Sequence, residues 1–293
     1  MREETVHLDG PVHYLDFGGE GRPIVLVHGL GGAALNWLAV GPELAQHGRV
    51  YAIDLVGFGH TPIARRSASL RGQRTILDRF IQRVAGPRAV LVGNSMGGLL
   101  ALQEAALSPQ RVAGAVLVDP ALPVINRLAF DARVWAFFAA LLTPGLAGRY
   151  LKTRSRQLGA RRIVWQTLAV CAADPRTVPA DLVAAHVRLT EERMEMPWAD
   201  AAVVQAARSL IPTLVGDRVF RQAGQVRART LVVHGDQDRL IPLDAARELV
   251  RRRPDWPLTV LKGVGHIPMM EAPERFLETV SPWLDAFDPA IAV

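Results

Sequence analysis

The residues of this chain best placed to do chemistry begin with Gly93-Asn94-Ser95-Met96-Gly97-Gly98. They follow the apolar run Ala89-Val90-Leu91-Val92 and precede a helical pattern over residues 99–107. A serine on a sharp turn from strand to helix projects from the backbone, and flanking glycines leave room for the turn to close. The helix start adds unpaired N–H groups and a positive dipole end beside the hydroxyl. A serine hydroxyl is still a weak nucleophile, so it needs a base, and the base needs a carboxylate to orient it. Two later segments supply both. Thr230-Leu231-Val232-Val233 runs into His234-Gly235-Asp236-Gln237-Asp238, and Leu258-Thr259-Val260-Leu261 runs into Lys262-Gly263-Val264-Gly265-His266. Loops at the carboxyl ends of strands in an open α/β sheet share one crevice. The expected trio is Ser95 as nucleophile, His266 as base and Asp238 as the orienting acid.

The other histidines have less to offer. His7, His13 and His47 fall in edge or loop segments, and His186 lies in a helical pattern. His60 follows a Gly-Phe-Gly turn and is a candidate pocket residue. His28 and His234 each end a strand and precede glycine, which suits a structural role fixing a turn. Asp236 and Asp119 are the alternatives to Asp238 as acid. For the oxyanion of a tetrahedral intermediate, the expected donors are the backbone N–H groups of Met96, after the nucleophile, and of Leu30 in the turn His28-Gly29-Leu30-Gly31-Gly32. That turn also fits a dinucleotide pattern, Gly29-Leu30-Gly31-Gly32-Ala33-Ala34, with Asp54 ending the next strand. A dinucleotide reading, however, leaves Ser95, Asp238 and His266 unexplained.

Short apolar runs position these residues. Ile24–Val27, residues 50–53, 89–92 and 115–118 are apolar throughout, as strands covered on both faces should be. Helical stretches such as 70–85 lie between them, so the pattern predicts an α/β, doubly wound, mostly parallel sheet. Residues 5–8 and 12–16 read as an edge hairpin. From 122 to 225 the periodicity is helical without a convincing strand, after which the alternation resumes. The expected organisation is a core of residues 1–121 and 226–293 carrying a helical cap over 122–225.

The chain resembles the α/β-hydrolase family over almost its whole length. The resemblance rests on His28-Gly29, Asp54-Leu55-Val56-Gly57-Phe58-Gly59, the Ser95 turn, Asp238 and Gly265-His266. It implies a cap over the active site, the same triad and oxyanion donors, no metal and no organic cofactor. Members acting on haloalkanes or epoxides carry aspartate where this chain has Ser95, and residues 122–225 hold one tyrosine, Tyr150. The Ser95 motif is similar to that of carbon–carbon bond hydrolases of ring-cleavage products, which usually have tryptophan after the histidine; here Ile267 follows. Cofactor-free perhydrolases share Ser-Met-Gly-Gly. The expected function is serine hydrolysis of a carboxylic ester of a hydrophobic or lipid-derived substrate, lipase-like, through an acyl-enzyme. Those two chemistries, or a non-catalytic receptor for a hydrophobic ligand, are the alternatives.

Composition bounds the rest. Of 293 residues 49% are hydrophobic, too many for a disordered chain. The charged start Met1-Arg2-Glu3-Glu4 lacks an apolar signal region, so a cytoplasmic protein is expected. One cysteine, Cys171, excludes an intramolecular disulfide. The net charge is +6, yet residues 122–225 hold 14 basic and 8 acidic residues, so the excess lies in the cap. That placement argues against a nucleic-acid partner. Residues 134–142, with Trp135, Phe138 and Leu142, are expected to line an apolar pocket. The basic run from Arg149 to Arg162 reads as a solvated face, with peripheral contact to an anionic membrane surface as the alternative.

Overall fold

The computed structural model describes residues 1–123, 136, 139–143 and 145–287. Eight strands form one sheet: β1 (Arg2–His7), β2 (Pro11–Gly18), β3 (Pro23–Val27), β4 (Arg49–Ile53), β5 (Ala89–Asn94), β6 (Val112–Val118), β7 (Arg229–Gly235) and β8 (Leu258–Leu261). Their order is β1-β2-β4-β3-β5-β6-β7-β8. The β1–β2 hairpin is antiparallel and β2 runs antiparallel to β4, whereas the other pairings are parallel.

The central strands are apolar because both faces are covered. Alternate residues of each strand enter opposite cores: Val25, Val27, Leu91 and Val232 face one, Ile24, Leu26, Val90 and Leu231 the other. Helix α1 (Leu70–Phe80) shows the logic of the outer layers. Its N-cap Ser69 accepts a hydrogen bond from the Gly72 amide, and Leu70, Gln73, Ile76, Leu77 and Phe80 form its buried stripe. Helix α2 (Met96–Leu107) has no such stripe and is buried nearly all round, between β5 and β6 and the outer helices.

Among the described residues, the segment between β6 and β7 contains helices only: α3 (Ala147–Cys171), α4 (Ala180–Glu195), α5 (Ala199–Thr213) and the short α6 (Arg218–Ala223). Gly159, at φ 69° and ψ 163°, breaks α3 into two arms. Arg154 Nη2 donates to Gln166 Oε1 at 3.1 Å across that break. Twelve residues of straight helix would hold them about 18 Å apart, so the arms fold back toward each other. The segment is tied to the sheet layers by partly buried polar contacts. Gln205 Oε1 accepts the Ala68 amide at 2.6 Å and Ser209 Oγ the Leu70 amide at 2.9 Å, the latter satisfying a helix-start donor. After β7 come α7 (Leu243–Arg252) and, beyond β8, α8 (Pro273–Asp285). No helix among the described residues is long and apolar enough to cross a membrane.

Candidate active site

Ser95 occupies the junction of β5 and α2 at φ 55° and ψ −117°, a conformation that costs a non-glycine residue about 1–3 kcal/mol. Its backbone is over-determined: Ser95 N donates to Val118 O at 3.0 Å, while Ser95 O accepts from Leu99 N at 3.1 Å and Ala121 N at 2.9 Å. The junction closes only without side chains beside it. A Cβ on Gly97 would lie 2.1 Å from Val27 O, and one on Gly93 would lie 2.3 Å from Gly97 O.

The loops after β7 and β8 bring Asp238 and His266 together. His266 Nδ1–H donates to Asp238 Oδ2 at 2.6 Å, with both side chains almost fully buried. Asp238 Oδ1 accepts the Leu240 and Ile241 amides at 2.7 and 3.0 Å. Burial alone would push this carboxyl up, but the pairing with His266 outweighs it and holds Asp238 below its ordinary value. The His266 backbone is clamped from two sides. Asn94 Nδ2, next to Ser95, donates to His266 O at 2.9 Å, and His266 N donates to Cys171 O, the last residue of α3, at 2.6 Å. Ser95 is thus joined to the His266 loop through its own neighbour.

The turn after β3 faces the serine, since a Cβ on Gly29 would lie 3.0 Å from Ser95 Cβ. Leu30 follows, half-buried, and its side chain packs against both the core and a small cluster of the inserted helices. Met96 opens α2, so its N–H has no intrahelical acceptor. His28 holds the turn: its Nδ1–H donates to Gly29 O at 2.7 Å and its Nε2 accepts the Leu55 amide at 3.0 Å. Burial pushes its pKa down to about 4, keeping it neutral. Asp54 Oδ1 accepts the Ala34 amide at 2.7 Å, and its Oδ2 accepts His13 Nδ1–H at 2.7 Å and the His60 amide at 2.9 Å. Those bonds leave it no free oxygen for a nucleotide ribose, and the glycine turn opens a four-residue 3₁₀ turn rather than the long helix that dinucleotide binding uses. His13, Asp54 and His60 gather within 4.8 Å as ligating atoms, but these same bonds account for the cluster.

The remaining residues singled out in the sequence fall elsewhere. Asp236 is exposed and braces the Gly263 amide at 2.6 Å. His60, instead of lining a pocket, pairs through Nε2 with Glu192 Oε2 on α4 at 2.7 Å. His234 Nε2–H donates to Ile241 O at 2.9 Å. Trp135 and Phe138 lie outside the described residues. Leu142 is 38% exposed, whereas its neighbour Leu141 packs with Ala147, Leu151 and Ala207. A surface cleft bounded by Ser69, Asp200, Gln205 and Arg208 includes none of Ser95, Asp238 or His266 among its walls. Sequence reasoning missed Asn94, Cys171 and Arg193. Arg193 on α4 donates to Gly59 O at 3.0 Å and Gly57 O at 2.9 Å. Nothing in local pattern marks these three, because each acts on a partner remote along the chain.

Residues 24–279 match the alpha/beta hydrolase family. The chain belongs to that family. Among similar proteins, a 2-hydroxy-6-oxo-2,4-heptadienoate hydrolase of Pseudomonas putida is 31% identical over 92% of this chain and 91% of its own length. A dihydrolipoyllysine-residue acetyltransferase component of an acetoin cleaving system, also from Pseudomonas putida, is 30% identical over 90% of this chain, and the match spans 64% of that longer protein. A membrane phospholipase A described as a bacterial virulence factor superposes with a TM-score of 0.76 at 26% identity, covering 97% of this chain and 86% of its own.

Proposed function

We propose that this protein is a serine hydrolase that cleaves a carboxylic ester of a hydrophobic or lipid-derived substrate. The observation that carries the reading is the 2.6 Å pairing of His266 with Asp238, on a loop that Asn94 fastens to the Ser95 turn. Ser95 Oγ attacks the ester carbonyl as its proton passes to His266 Nε2, and Asp238 holds the resulting imidazolium by Nδ1–H. The oxyanion lies between the Leu30 and Met96 amides, two donors in place before the reaction starts. Collapse expels the alcohol with the proton from His266 and leaves the acyl-enzyme. Water then attacks the acyl carbon, giving its proton to His266, and release of Ser95 yields the acid. Residues 1–121 and 226–293 form the catalytic core in this reading, and residues 122–225 are the cap, whose apolar run 134–142 suits an acyl or aromatic group.

A second reading has one observation in its favour: the 31% identical relative is named as hydrolysing a 6-oxo dienoate, not an ester. Against it stands Ile267, where ring-cleavage hydrolases usually have tryptophan. One experiment separates the two. Purified protein is given p-nitrophenyl esters of graded chain length and a vinylogous 1,5-diketone, alongside the Ser95→Ala variant. We expect turnover of the esters, labelling by a fluorophosphonate probe, and loss of both in Ser95→Ala with circular dichroism unchanged. Full activity in Ser95→Ala would sink the serine mechanism. Turnover of the diketone alone would favour the second reading.

A further inference from the structure

Asp119 ends β6 one residue past Val118, at a positive φ of 43°, and is fully buried. Its oxygens are placed asymmetrically. Oδ1 accepts the Gly235 amide at 2.9 Å, whereas Oδ2 is buried with no partner. Oxygen of Asp119, oxygen of Asp238 and ring nitrogen of His266 all lie within 4.8 Å of one another. The other titratable groups packed around them are His234 on β7, Glu271 ahead of α8 and Cys171 at the end of α3. Glu271 is committed to backbone donors, the Ala173 amide at 2.8 Å and the Gly265 amide. The Cys171 thiol, pushed up to about 12 by burial, stays neutral. The buried polar residues of the described chain include no Lys or Arg that would balance these carboxyls.

The neighbours of Asp119 therefore present lone pairs. Asp238 is the partner of His266 and carries its negative charge. His234 uses its single proton on Ile241 O, so its Nδ1, 3.7 Å from Asp119 Oδ1, is an acceptor without a donor. Two adjacent anions at full burial with no cation between them would be mutually costly. A hydrogen on Asp119 Oδ2 removes one charge and gives the orphaned oxygen a partner. We propose that Asp119 keeps its proton and donates it to Asp238, acting as a positioning residue for the acid that orients His266. Burial, then the neighbouring Asp238 charge, push the Asp119 carboxyl well above its ordinary value, in keeping with this assignment. The proton leaves one negative charge on the aspartate pair, so the imidazole is not held charged by two anions. This effect on catalysis rests on the serine-hydrolase reading; the protonation itself does not.

The test is infrared difference spectroscopy of Asp119→Asn against the wild type at about pH 9, where Glu104, pushed up to about 7 by burial, is ionised. The expected result is a protonated-carboxyl C=O band in the wild type that is missing from the variant. The acid limb of the kcat/KM profile should stay in place in Asp119→Asn, because asparagine replaces a neutral group with a neutral one. If no such band is lost, or if the acid limb falls by about one pH unit or more, Asp119 is an anion and the proposal is overturned. Asp119→Ser gives the same infrared comparison should Asp119→Asn not fold. Full turnover in Ser95→Ala would instead remove the serine mechanism and leave the infrared result standing.

Discussion

At the scale of single residues, the strained serine depends on atoms that are missing. Gly97 packs against Val27 O so closely that one added carbon would lie 2.1 Å away, and the obstacle is backbone, which cannot rotate aside. Gly97→Ala should therefore destabilise the fold by about 3 kcal/mol or more, read from denaturant unfolding, with loss of turnover in whatever remains folded. Unchanged stability would mean that the β5–α2 junction is looser than its hydrogen bonds imply. The strand-end positions of Ser95, Asp238 and His266 were legible in the sequence, because each follows a short apolar run. The clamps on His266 were not. Asn94 reads as an ordinary residue of the turn motif, and Cys171 contributes only a carbonyl, which every residue has.

At the scale of elements, the apolar strands announced themselves because burial on both faces leaves no polar position to break the run. The hairpin β1–β2 was legible as two short edge runs at residues 5–8 and 12–16, and helix α1 as part of the helical stretch 70–85. Less was visible where geometry overrides pattern: the short helices after β3 have too few turns to show a period, and the Gly159 break lies inside a continuous helical composition. The docking of α4 depends on Arg193, whose guanidinium is mostly buried, donates to two loop carbonyls and lies 5.7 Å from the Phe58 ring centroid. Arg193→Ala leaves the carbonyls of Gly57 and Gly59 without these donors, at about 1.5–3 kcal/mol each for bonds to a charged donor, less whatever water recovers. We expect faster limited proteolysis of residues 172–217 in that variant and a lowered melting temperature. Proteolysis at the wild-type rate would argue that α4 is held by its apolar contacts alone.

At the scale of the molecule, stability should follow pH through buried histidine. His28 has an ordinary value of 6.5 and a folded value of about 4, lowered by burial. Only the unfolded chain takes up a proton as pH falls between those values, so this contribution is complete above 6.5 and is lost toward 4, by about 3 kcal/mol in full. Glu104, raised to about 7, acts in the opposite sense between 4.5 and 7. The informative quantity is thus the difference between wild type and His28→Gln. We expect the variant to start less stable but to lose less melting temperature on acidification from pH 6.5 to 4; parallel curves would refute a neutral buried His28. The joining of α3 to the His266 loop matters beyond this protein's own stability. Members of a fold that differ in their inserted helices invite exchange of those helices to change substrate, as if the insertion were a detachable module. Here the seam would have to be cut before Cys171, because its carbonyl belongs to the scaffold that holds the His266 loop, and a graft spliced after it would import a foreign foundation for that loop.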